Sequence, residues 1–220
     1  MKRNLFAPEH EAFRDTVAAF VQAELVPFHA DWEKQQRVPR EVWRKAGAAG
    51  LLCPDVPEEF GGYGADWLYN VVIIEELAKA GMSGPGFMVH SEMVAPYIRT
   101  WGSDELKRKW LPRMVTGEAI GAVAMTEPGA GSDLKELRTR AVRDGDHYVI
   151  NGQKNLHLER TELRLHPACL QDRSRRRRAR RWCTAIIVRP TFWWSKASSA
   201  RCSIGNSRRS AIRPRISAGI

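Results

Sequence analysis

The chain has 220 residues but only four cysteines. Cys53 stands alone in the first 154 residues, and Cys169, Cys183 and Cys202 are widely spaced, without a Cys-x-x-Cys pair. Neither a zinc knuckle nor a disulfide framework is indicated, and a reducing cytoplasm is the expected setting. Long apolar runs are also missing. The longest aliphatic stretch of the first 154 residues, Val71 to Ile74, is far below the roughly 20 residues needed to cross a bilayer, so no membrane span is expected. Met1-Lys2-Arg3 is basic, but Pro8, Glu9, His10, Glu11 and Arg14 follow at once, which leaves no apolar segment of signal-peptide length. The last 66 residues lack tyrosine, contain one lysine, and hold only three acids, Glu159, Glu162 and Asp172.

Charge divides the chain. Residues 1–154 carry 19 Lys and Arg against 22 Asp and Glu, net −3, whereas residues 155–220 carry 16 against three, net +13, with 15 of the 16 being Arg. The first segment has the mixture of aliphatic, aromatic and charged residues of an ordinary globular protein.

Helical periodicity dominates the first 117 residues. Phe13, Val17, Phe20 or Val21, and Leu25 recur at steps of three and four, giving one apolar stripe between Pro8 and Pro27. Pro39 to Ala49 predicts a second helix stopped by Gly50. Residues 54–64 hold Pro57 and Gly61-Gly62, lack a helical period and read as a loop. Asp66 is placed to cap a helix ending near Gly81, with Trp67, Val71, Ile74 and Leu77 or Ala78 expected on its buried face. Phe87 to Thr100 reads as a helix kinked at Pro96, and Ser103-Asp104-Glu105 as the start of another with Leu106 and Trp110 inward. After Gly117 the texture changes. Ile120 to Met125 predicts a buried strand, and Arg138–Val142 and His147–Ile150 predict two strands joined by a turn at Asp144-Gly145.

Most candidate sites have a structural reading. His10, His29, His90 and His147 show no metal-ligand spacing, and no metal is expected; surface or partly buried structural roles fit them better. Met82, Met88 and Met93 read as core fillers. Glu75 and Glu76 diverge by about 100 degrees on a helix and are not an acid/base pair. The informative stretch is Ala124-Met125-Thr126-Glu127-Pro128-Gly129-Ala130-Gly131-Ser132-Asp133. Gly129 and Gly131 allow backbone N–H groups to approach a flat or anionic ligand, and Thr126 and Ser132 add hydroxyls. A lone Gly-x-Gly equally suits a plain hairpin loop, and no third glycine opens a helix as in a dinucleotide fingerprint. Glu127, at the strand end, is either a general base or a backbone or salt-bridge partner.

Read in order, this stretch resembles the flavin loop of the acyl-CoA dehydrogenase family, with Glu136 departing from the small residue usual there. The resemblance covers about residues 5–154 and includes Val56–Gly62, Gly102–Lys107, Leu111-Pro112, Thr116–Glu118 and Asp144–Lys154; Ser83–Phe87 and Ile120–Asp133 resemble the long-chain branch. It implies a mainly α chain: a helical N-terminal domain over 1–117 and the start of a β-barrel-like middle domain over 118–154. It also implies FAD-dependent α,β-dehydrogenation of an acyl-CoA thioester, as in fatty-acid β-oxidation, with electrons passed to an electron-transfer acceptor by a homo-oligomer, usually a tetramer. By position Val123, Ala124, Met125, Thr126, Gly129, Ala130, Gly131 and Ser132 would line the flavin, and Ser132 would also touch the acyl-CoA. The family's catalytic base belongs to a C-terminal helical domain, so no catalytic residue is carried over. Glu127 is not used as the base in the family.

The resemblance stops after Lys154. The family continues with Lys-Thr-Phe-Ile-Ser-Asn-Gly, whose aromatic and hydroxyl contact the flavin, whereas this chain has Asn155-Leu156-His157-Leu158-Glu159-Arg160. A hypothetical coding stretch for Lys-Thr-Phe-Ile-Ser-Asn-Gly-Gln-Asn, AAG ACC TTC ATC TCG AAC GGA CAG AAC TG, reads as Lys154 to Leu163 of this chain once one A is inserted after the lysine codon, so the two sequences are compatible with a single insertion. A reading-frame shift is therefore the expectation. Residues 155–220 would be an aberrant, disordered basic tail, and the chain an inactive, truncated product with weak or no FAD binding. The alternative is a small helical protein whose segment Arg173–Arg181 binds nucleic acid through clustered guanidiniums, with Trp182, Trp193 and Trp194 stacking bases. Even an accidental tail of this charge could hold nucleic acid nonspecifically.

Overall fold

A computed structural model describes residues 5–144, 147–152, 165–166, 185–188 and 202–205. It divides into two compact units, one running to Ala122 and one beginning at Val123. The first is mainly helical, as expected.

Helix α1, Pro8–Phe20, has its proline in the first turn and continues through a π turn over Val21–Leu25. Val17, Val21 and Leu25 are buried, with Phe13 and Phe20 packed beside them, so the apolar stripe is realised. A short helix that the periodicity did not show, α2 over His29–Gln35, follows Pro27 and buries Trp32. Helix α3, Arg40–Ala48, buries Trp43, whose ring meets Phe87 edge-on at 4.9 Å. Such a pair adds about 1 kcal/mol to the burial of the two rings.

Helix α4, Trp67–Lys79, starts where Asp66 Oδ1 accepts the Leu68 N–H at 2.8 Å. Its buried face is only partly the expected one. Leu77 is buried as expected and Val71 and Ile74 are half-buried, but Asn70, Val72, Ile73 and Glu76 are buried while Trp67 is 51% exposed. The run Val71 to Ile74 is apolar on every side, so periodicity could not choose the face. Buried Glu76 is accommodated because Arg14 on α1 reaches it at 2.8 Å and Lys79 at 2.6 Å, with Arg14 also 2.9 Å from Glu75. Burial pushes the Glu76 carboxyl up, and Lys79 and Arg14 more than reverse that, holding it below the ordinary range.

The segment before Pro96 is a second π turn, Val89–Val94, leading into α5, Ala95–Trp101. A proline lacks a donor and crowds the preceding turn, and both π turns lie within a few residues ahead of one. The core-filler reading holds for Met82, which packs against the core, but not for Met88 and Met93, which are 50% and 38% exposed. Helix α6, Asp104–Val115, is capped by Ser103 Oγ and buries Trp110. It ends before Gly117, at φ +70°, where an added Cβ would lie 2.2 Å from Trp43 O.

The second unit takes in the end of strand β1, Gly121–Ala124. Strands β2, Arg140–Asp144, and β3, His147–Asn151, pair antiparallel with Ala141 opposite Ile150. Short strands β4, Leu165–His166, and β5, Ala185–Val188, pair antiparallel, as do β3 and β6, Cys202–Gly205. The turn expected at Asp144-Gly145 and the disorder expected of most of residues 155–220 lie outside the described residues.

Candidate functional site

Strand β1 ends in a loop built around a buried carboxylate. Glu127 and Ala130 exchange main-chain hydrogen bonds, N–H of Glu127 to O of Ala130 at 2.8 Å and the reverse at 3.1 Å, closing a tight turn over Pro128-Gly129. The Glu127 side chain is 6% exposed and accepts the main-chain N–H groups of Arg138 at 2.6 Å and Thr139 at 3.1 Å. It therefore ties the start of the loop to the approach of β2. Its oxygens are committed to main-chain donors, which is the structural of the two roles open to it from sequence. Further along, Asp133 Oδ1 accepts the Lys135 N–H at 3.0 Å and begins a short 3₁₀ turn over Leu134–Glu136.

Every candidate cofactor residue falls on this strand and loop. Val123 is buried and Ala124 closes β1. Met125, Gly129, Gly131 and Ser132 are exposed and Thr126 is half-buried. Ala130 is buried, with its N–H and carbonyl both used inside the turn, so it shapes the loop. Neither Gly129 nor Gly131 has a left-handed φ, and an added Cβ at either would meet nothing within 4 Å among the described residues. The fold itself does not demand glycine there; what their lack of a side chain provides is an uncovered main chain beside Thr126 and Ser132. That edge is the observation that fits a flat ligand.

Cys53, Ser91, Asp55, Glu92 and Arg99 form another polar group within the helical unit. Cys53 is buried, its N–H donates to Ser91 Oγ at 3.0 Å, and burial pushes the thiol up to about 12, so it is unreactive. Arg99 is paired with Asp55. Among the described residues no cluster of His, Cys, Asp and Glu is arranged to hold a metal ion, and no helix is long and apolar enough to cross a membrane.

Residues 7–118 match the family profile described as "Acyl-CoA dehydrogenase, N-terminal domain", and residues 122–188 match "Acyl-CoA dehydrogenase, middle domain". The chain belongs to the acyl-CoA dehydrogenase family. It is 49% identical over 152 residues to the mitochondrial long-chain specific acyl-CoA dehydrogenase of Mus musculus, covering 69% of this chain and 35% of that protein. Among solved structures, the acyl-CoA dehydrogenase of Geobacillus kaustophilus is 49% identical, with a TM-score of 0.65 over 70% of this chain and 40% of that one. The acyl-CoA dehydrogenase of Bacillus anthracis complexed with FAD is 33% identical, with a TM-score of 0.60 over 70% of this chain and 27% of that one. The chain thus spans about a third of the length of the curated relatives it matches.

Sequence reasoning offered Glu127 as a backbone partner but could not name Arg138 and Thr139, because both are engaged through main-chain groups. His90, which bonds the first residue of β1, showed only as a histidine without metal-ligand spacing.

Proposed function

We propose that residues 1–117 are the helical domain, and 118–154 the opening of the middle domain, of an FAD-dependent acyl-CoA dehydrogenase acting on acyl-CoA thioesters. The observation that carries this is the uncovered edge of the Glu127–Ala130 loop in a chain so similar to enzymes of that name. Met125, Thr126, Gly129, Gly131 and Ser132 would hold the flavin. Thr126 and nearby main-chain N–H groups would bond its polar edge, and Ser132 would also bond the acyl-CoA. When bound, FAD supplies the hydride acceptor for α,β-dehydrogenation. The chain's part is to fix that ring through a loop whose own turn is closed by Glu127 and Ala130, so little ordering remains to be done on binding. Electrons would pass to a flavoprotein acceptor, in a homo-oligomer, and the free Cys53 thiol suits a reducing compartment such as the cytoplasm.

We further propose that the reading frame changes after Lys154. Leu156 and Leu158 stand where the family places an aromatic and a hydroxyl, so this chain would bind FAD weakly and turn over no substrate. The middle-domain match runs past Lys154 to residue 188, which makes codons 155–188 the decisive stretch. Sequencing the locus should reveal, in a displaced frame, a Lys-Thr-Phe-Ile-Ser-like continuation; a confirmed present frame with no such continuation in the others would overturn the frame change. The nucleic-acid reading of Arg173–Arg181 lies outside the described residues and gains no support from the matched relatives.

A further inference from the structure

His90 lies in the π turn before α5 and is fully buried. Its Nδ1 accepts the Gly121 N–H at 2.9 Å, and its Nε2 stands 3.1 Å from Met114 O. A main-chain N–H can only donate and a carbonyl can only accept, so the ring is the neutral tautomer with its proton on Nε2, donated to Met114. Burial pushes the imidazole down to about 4, which keeps it neutral. Trp43 meets the ring edge-on at 5.3 Å and fixes its plane. A second contact holds the same place: a Cβ on Gly121 would come within 2.7 Å of Val94 Cγ1 and 3.1 Å of Met114 Cε. The first residue of β1 is thus seated at main-chain distance against the π turn and the end of α6, with one imidazole bonding both Gly121 and Met114.

We propose that His90 is a positioning residue for the strand that leads into the flavin loop: it fixes where β1 begins, holding Gly121 against the end of α6. This rests on the flavin reading above. The imidazole is suited to the task because it joins a donor and an acceptor that a hydrocarbon would leave unsatisfied in the core.

The test uses the full chain, labelled with ¹⁵N, and two variants. In His90→Asn the side-chain oxygen takes the place of Nδ1 and can still accept from Gly121. In His90→Gln the side-chain nitrogen takes the place of Nε2 and can still donate to Met114. The expected results are an unprotonated Nδ1 in the parent chain and Gly121 amide protection kept within about threefold in His90→Asn. In His90→Gln that protection should fall by about tenfold or more, with amide shifts from Val123 to Ser132 displaced only in this variant. A proton on Nδ1, or equal effects of the two variants on Gly121 and the loop, would overturn the proposal. An FAD titration of residues 1–154 joined to the remaining chain of the Geobacillus kaustophilus relative separates the two layers: if that protein folds but takes up no FAD while the His90 results hold, the flavin reading is at fault and the anchor stands.

Discussion

Single buried groups give this chain opposite responses to pH. His90 has a folded value of about 4 against an ordinary 6.5, so the unfolded chain takes up the proton first. Its contribution is fully present above about pH 6.5 and is lost as pH falls through 4, a loss of about 3 kcal/mol at the acid limit. Urea unfolding at a series of pH values should show this loss in the parent chain and a shallower one in His90→Asn. Glu92 behaves the other way. Burial, and then the neighbouring Asp55 charge, raise its carboxyl to about 7 despite Arg99. Its contribution is complete below about pH 4.5 and is lost as pH rises through 7. Glu92→Gln should therefore be more stable than the parent at pH 8, by about 1 kcal/mol at most once solvent screening is allowed for, and indistinguishable from it near pH 5. A variant that is weaker at pH 8 would contradict the burial argument. Glu127→Gln removes one acceptor from a pair of main-chain donors and should cost about 1–3 kcal/mol. The same unfolding measurement checks it, with faster exchange of the Arg138 and Thr139 amides as the local sign.

At the scale of elements, the capping residues were the most legible part. Asp66 and Ser103 were readable because a cap needs only its own sequence neighbours, Leu68 and Leu106. Asp66 also receives a bond that no local pattern could show, from His10 Nε2 at 3.1 Å, and His10 Nδ1 in turn accepts the Ala7 N–H at 3.0 Å. This joins the starts of α1 and α4. Asp66→Ala should therefore cost more than a simple cap, about 2 kcal/mol against the typical 1. Thermal unfolding of Asp66→Ala beside Ser103→Ala would show the difference, and equal losses would mean that the His10 link contributes nothing. The π turns were illegible for the opposite reason. Each inserts an extra residue ahead of a proline, Pro27 or Pro96, and a 3.6-residue periodicity carries no trace of it. The buried face of α4 was legible only at Leu77: Val71 to Ile74 is apolar on every side, and burial of Glu76 depends on Arg14 and Lys79, which its own sequence neighbours do not reveal in full.

For the molecule as a whole, the helical unit was legible from stripes and caps, and the loop from ten residues in order. What sequence could not supply is the loop's internal wiring, which runs through main-chain groups remote from Glu127. The account's central claim is that residues 1–154 supply a working helical unit and flavin loop. It is tested most directly by joining those residues to the remaining chain of the Geobacillus kaustophilus relative and recording the visible absorption of the purified chimera before and after anaerobic addition of a long-chain acyl-CoA. The account predicts a yellow protein with about one FAD per chain whose flavin band is bleached by the thioester; a folded but colourless chimera, or bound flavin that the thioester leaves unbleached, would contradict it.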